Sequence, residues 1–208
     1  LNVTLHHVAD TEHYVSADLH VHTMNSVDSS VTIEKQLMSA ACEGLEVPVA
    51  TDHNAVTDMQ PAVVSLGLQD WLSSIVGVEL STLEMGHFNA FPLRYDIASP
   101  SHFPYVSTCY AAQESKVNRT AFDWVQCAPT QLFDSLRALG SDGPERTIVQ
   151  VNHPRDTIMG YFNQYYMSPY SGLPEAPNGQ HYTMADIFFP QSPSGQFLVD
   201  KFSFDFDA

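Results

Sequence analysis

Five short apolar runs in the first 155 residues each finish on an imidazole or a carboxylate. The first is YVSADLHVHT, which carries Asp18, His20 and His22. VPVA leads into Thr51-Asp52-His53-Asn54, and SSIVGVEL carries Glu79. MGHFNAFPL carries His87, and RTIVQVNHP ends on His153 ahead of Pro154 and Arg155. Alternate residues of a strand face the same way, so His20 and His22 point together and Asp18 joins them one step back. Two imidazoles side by side make a metal clamp, and imidazole suits Zn, Mn or Fe. One such histidine is readily a hydrogen-bonded core residue or a solvated one. Core histidines placed at random would not fall at every strand exit.

Between these runs lie helical patterns. Thr32 to Gly44 places Ile33, Leu37 and Ala40–Ala41 at helical spacing, with Thr32 as a possible N-cap and Gly44 as a stop. PTQLFDSLRALG sets Leu132, Phe133, Leu136 and Leu139 on one side of a second helix. Strand–helix–strand alternation predicts an α/β domain with a mostly parallel sheet and crossover helices. In such domains the C-terminal strand ends carry the chemistry. One domain over residues 1–208 is expected. It carries a polar excursion at about residues 96–126 and a Tyr/Pro/Gly-rich loop at about 160–195. FLVDKFSFDF reads as a last strand.

Composition narrows the function. Hydrophobic residues at 44% and aromatics at 11% argue against disorder. Eight Lys+Arg against 24 Asp+Glu give a net charge of −16. That argues against nucleic acid and anionic membranes, and it suits a cation cofactor. No apolar run approaches the roughly 20 residues of a membrane span. Three cysteines with no Cys-x-x-Cys exclude a thiolate zinc knuckle. Cys42 reads as a small core residue. Cys109 and Cys127 could pair, and a disulfide there would favour a periplasmic or secreted location over the cytoplasm.

Asp28, in the loop after the first run, is a natural oxygen ligand near the clamp. Glu79 could bridge two metals with its two oxygens. Arg155 could fork onto a phosphate or carboxylate, and Asp52 could shuttle a proton.

In order, DLHVHT with SVDSS, then ATDHN, GVELS, GHFNAFPL and QVNHPR resemble the motifs of the PHP (polymerase and histidinol phosphatase) superfamily of metallohydrolases. They span roughly residues 16 to 155. The last two look most like its carbaryl-hydrolase-like branch. The resemblance implies a distorted (β/α)7-type barrel with two or three divalent metals at its mouth. His20, His22 and Glu79 would hold the first, and Glu79, His87 and His153 the second, with Glu79 bridging. Asp28 and His53 would hold the third. Asp18 and Asp52 would orient neighbouring imidazoles.

One departure stands out. The family closes its site with an Asp-x-His motif, and none occurs after residue 155. The expectation is therefore a barrel missing its final strand or strands, part of a longer chain, with two metals and a weak or empty third site. The expected activity is metal-dependent hydrolysis of a small-molecule ester, phosphoester first. Carbamate or carboxylic-ester hydrolysis is the second reading, and a non-catalytic metal-stabilised module the third. An ordinary amidohydrolase barrel would carry a carboxylated lysine or a bridging glutamate mid-barrel and a late aspartate, and none of Lys35, Lys116 and Lys201 ends an apolar strand before a ligand motif.

Overall fold

A computed structural model of the chain describes residues 12–82, 86–95, 129–156 and 160–164. The first two strands follow the expected alternation. β1 (Ala17–Val21) pairs in parallel with β2 (Val47–Ala50), and α1 (Ile33–Glu43) crosses between them. Helix α1 begins where Thr32 accepts from the Lys35 amide, and it ends at Gly44, whose φ of 74° favours glycine. It buries Leu37 and Ala40 against Met59 and Val63 of the segment around α2 (Gln60–Ser65). Cys42 is exposed, contrary to its reading as a core residue. The buried stripe runs through Leu37 and Ala40, and residue 42 lies on the far side of the helix.

The remaining strands depart from the expectation. β3 (Val78–Thr82), β4 (Gly86–Phe91) and β5 (Ile148–Val151) form an antiparallel three-stranded sheet. The described residues therefore contain a two-stranded parallel sheet and a three-stranded antiparallel one, and no closed barrel. This overturns the expected (β/α)7-type barrel. The physical reason lies between Thr82 and Gly86. A parallel crossover needs a dozen or more residues, and three residues permit only a hairpin. The excursion at 96–126, the Cys109–Cys127 pair, residues 165–195 of the expected loop and the last expected strand lie outside the described residues.

Isolated parallel bridges, Val49 to Ile75 and His53 to Glu79, tie the two sheets together. The antiparallel sheet has two distinct faces. Val78, Leu80, Phe88, Ala90, Val149 and Val151 point into a core closed by α3 (Pro129–Arg137) through Phe133 and Leu136, and by Tyr161 at the start of α4 (Tyr161–Gln164). Phe88 meets Phe133 and Tyr161 edge-on at 5.1 and 5.2 Å. The two-residue period sends Glu79, Ser81, His87, Asn89 and Gln150 to the opposite face, and Asn152 continues that row beyond β5. Glu79, Asn89, Gln150 and Asn152 are nevertheless almost completely buried. A polar face withdrawn from water needs partners.

Candidate metal centre

Glu79 is the hub. Its side chain is fully buried, and its two oxygens divide the surrounding histidines. Oε2 lies 2.9 Å from His22 Nε2, 2.9 Å from His53 Nδ1 and 3.4 Å from His20 Nε2. Oε1 lies 3.1 Å from His87 Nδ1 and 3.5 Å from His153 Nε2. Burial pushes the Glu79 pKa up, but contacts with His153, His20, His22 and His53 outweigh it. The carboxyl is held far below the ordinary range and is ionised.

The imidazoles form a continuous row. His20, His22, His53, His87 and His153 follow one another with ring centroids 4.6 to 5.2 Å apart. His20 on β1 and His22, one residue beyond its end, bring their Nε2 atoms to 3.0 Å from one another. His53 follows β2, and its Nδ1 also contacts the Ser81 hydroxyl. His153 follows β5 with φ of 27°, a left-handed backbone. The next residue is Pro154, which disfavours such a conformation, so this ligand is held under strain of about 1–3 kcal/mol.

Asp28 closes the open side. Its carboxylate lies 3.0 Å from His22 Nδ1 and 3.3 Å from His53 Nε2, and it accepts from the Ser26 hydroxyl at 2.6 Å. Burial pushes its pKa up, but contacts with Ser26, His22 and His53 together outweigh that, and the net shift is downward. His22 moves the other way. Burial lowers its pKa, but Glu79 and Asp28 outweigh that and raise it above the usual imidazole value.

Whether these residues fit a metal can be tested on the atoms themselves. Glu79 Oε2 has two ring nitrogens at 2.9 Å yet no aligned hydrogen bond, and His87 Nε2 is buried without a partner. Other atoms of the cluster do meet, as His87 Nδ1 meets Glu79 Oε1 at 3.1 Å, but Oε2 and His87 Nε2 are buried lone-pair-bearing atoms whose needs the protein leaves open. Tetrahedral zinc with nitrogen ligands at 2.0–2.1 Å sets its ligands about 3.3 Å apart, within the range of spacings seen here. Three overlapping groups can each hold a metal ion: His20, His22 and Glu79; His22, Asp28 and His53; His53, Glu79 and His87. The first reproduces the set the resemblance implies. In the second, His22 joins Asp28 and His53. In the third, His53 stands with Glu79 and His87, while His153 packs against His87 and approaches Oε1.

All seven expected ligands line one cleft of about 450 Å³, with Ser29 and Gln36. The other expected residues sit elsewhere. Asp18 is exposed and accepts from the His20 backbone amide at 3.0 Å, so it braces the strand and no ring. Asp52 is fully buried. It accepts from the Thr23 amide and from the Thr23 and Thr57 hydroxyls, which anchors the chain just after His22. Arg155 is exposed, with its guanidinium 5.4 Å from the Phe162 ring centre. Neither Asp52 nor Arg155 lines the cleft.

Several contributors escaped the sequence reading. Asn152 donates to Glu79 Oε1 at 2.8 Å, Gln36 donates to the His22 carbonyl at 3.1 Å, and Ser81 supports His53. A signal was present. In VELST and GHFNAF the residue two steps after Glu79 and His87 is again polar, and IVQVN sets Gln150 and Asn152 two steps apart, an alternation unusual for strands that bury both faces.

A comparison with protein-family models gave no match, and no curated protein matches the chain. The likeness to PHP enzymes therefore rests on the quoted motifs alone.

Proposed function

We propose that the chain is a metal-dependent hydrolase of the PHP kind that cleaves phosphoesters at a centre of two divalent ions, Zn, Mn or Fe. The observation that carries this reading is the convergence of seven ligand-type side chains from separate segments on one open cleft, around a single buried carboxylate. His20 and His22 with Glu79 Oε2 would hold one ion. His87 and His153 with Glu79 Oε1 would hold the other, and Asp28 with His53 would offer a weaker third position.

Divalent ions in this setting supply a water nucleophile at neutral pH and offset charge on the substrate. The chain's own residues define what binds. Two dications against the carboxylates of Glu79 and Asp28 leave the cleft cationic inside a protein of net charge −16. That favours a substrate bringing negative charge to the reacting atom, as a phosphoester does. The cleft volume suits a small molecule. Ser29 and Gln36 also line its wall, and the five histidines around it are half-buried.

The test is a panel of p-nitrophenyl phosphate, a phosphodiester and a naphthyl carbamate, assayed with added Mn or Zn. Chelator-sensitive turnover of the phosphoesters is expected. Turnover of the carbamate alone would move the substrate class to carbamate or carboxylic esters. Metal uptake with no turnover would leave a metal-stabilised module. Turnover that survives chelation would sink the mechanism.

A further inference from the structure

Behind the metal centre lies a chain of buried amides. Gln150 Nε2 donates to Asn152 Oδ1 at 3.2 Å. Asn152 Nδ2 donates to Asn89 Oδ1 at 2.7 Å, and Asn89 Nδ2 donates to the Leu19 carbonyl at 2.9 Å. The second Asn152 hydrogen goes to Glu79 Oε1 at 2.8 Å. All three amide side chains are almost fully buried, where an unmatched polar atom is costly.

The sense of this chain is fixed from one end. The Leu19 carbonyl can only accept, so Asn89 must turn its amide nitrogen toward it. Asn89 then offers oxygen to Asn152, which must answer with nitrogen. That nitrogen's remaining hydrogen meets an ionised carboxylate, which can only accept. Every choice between oxygen and nitrogen follows from a backbone atom next to His20.

We infer that Asn152 is a positioning residue that holds Glu79 in its bridging orientation. Pinned at Oε1 from behind, the carboxylate plane cannot swing both oxygens toward His20, His22 and His53. Oε1 stays turned to His87 and His153, and Oε2 to the opposite group. Asn89 links this setting to β1 through Leu19, so clamp and bridge are placed by one network. The inference rests on the two-ion reading above and adds to it the device that keeps the two ions distinct.

The experiment is a titration of metal-free protein with Zn(II) against a competing chelating dye, read alongside metal-free melting curves. The native protein is expected to show two affinity steps. Asn152→Leu, which keeps the volume and removes the donor, is expected to weaken one step by about 10–100-fold, the usual effect of losing a partner behind a ligand. The other step stays as it was. His153→Ala weakens the same step, and adding Asn152→Leu to it costs little more, because the two act on one site. His20→Ala weakens the other.

Two unchanged steps in Asn152→Leu overturn the inference. So does an equal loss at both steps with a lowered metal-free melting temperature, which is the signature of a merely structural residue. A native protein that binds no metal overturns this inference together with the two-ion reading, whereas native binding with an indifferent Asn152→Leu overturns the inference alone. If Asn152→Leu does not fold, Gln150→Met decides. It is close in shape and loosens Asn152 without touching Glu79. A smaller loss at the same step supports the positioning role, and no loss refutes it.

Discussion

At the scale of single residues, Glu79 governs the site in both the empty and the loaded protein. It is a buried carboxylate whose described ion pairs are all to imidazoles. Removing one partner from a buried, well-paired charge cluster is destabilising, because the groups around it lose their match. Glu79→Gln is therefore expected to melt lower than the native protein when both are metal-free, and to lose more than about 100-fold in metal affinity, beyond the range for an outer partner. Melting curves with and without metal check both halves. His22 sets the pH response. Its proton is held more tightly than usual by Glu79 and Asp28, and it must leave before Nε2 can bind a cation. Metal affinity should thus rise with pH and keep rising above the usual imidazole value near 6.5. Dye-competition titrations from pH 6 to 8 would show it, and a flat profile would count against His22 as a ligand. The clustering of these side chains was legible in the sequence, because ligand-type chemistry is restricted to few residue types and strand ends are recognisable. Asp18, Asp52 and Arg155 take partners the sequence did not announce, because proximity in sequence does not say which way a side chain turns, or whether a backbone amide claims it first.

Elements place these residues through period and register. In β3, β4 and β5 alternation sends valine, leucine and phenylalanine to one core and the polar set to the other side, and register then sets Glu79 opposite Asn89 and Asn89 opposite Gln150. Gly77 stands where this sheet meets the parallel pair. A Cβ there would lie 2.7 Å from the Ala50 carbonyl oxygen and 2.9 Å from that of Ala90, both backbone atoms that cannot swing aside. Gly77→Ala is expected to cost about 1–3 kcal/mol, as overpacking does, and to lower metal affinity as well, because Glu79 follows two residues later. Denaturant melts paired with metal titration would test this, and a loss of stability with intact affinity would uncouple the two. Strand positions were readable from apolar runs ending in polar residues. Pairing direction was not, because period says which face a residue takes and nothing about its neighbour. The three-residue link between Thr82 and Gly86 was the one cue to a hairpin.

Across the whole molecule, candidate ions would reinforce a seam that the backbone already closes. Among the described residues the parallel pair and the antiparallel sheet are connected by isolated bridges, by backbone hydrogen bonds such as Ala50 to Ile75, Asn54 to Glu79 and Glu79 to Asp52, by the Asn89 link and by side chains of the centre. One cation on His20 and His22 and another on His87 and His153, both sharing Glu79, would fasten one sheet to the other. At free metal 100 times the dissociation constant, the stabilisation is about 2.7 kcal/mol. Chelator treatment should lower the melting temperature accordingly, readdition of metal should restore it, and a melt indifferent to chelator would remove the ions from any structural role. The barrel expectation failed at this scale because strand–helix alternation in the first 60 residues was extended to a region where the chain doubles back.

The ligand row opens at His20 and closes at His153, and that span has a consequence for biosynthesis. A ribosome displays the His20–His22 pair long before it has made His153. A lone pair of imidazoles holds copper or nickel more tightly than manganese or iron. On the proposed reading of a Zn, Mn or Fe centre, the growing polypeptide would pass through a stage that prefers copper or nickel, and discrimination would then come from which metals the surrounding compartment keeps free while translation finishes.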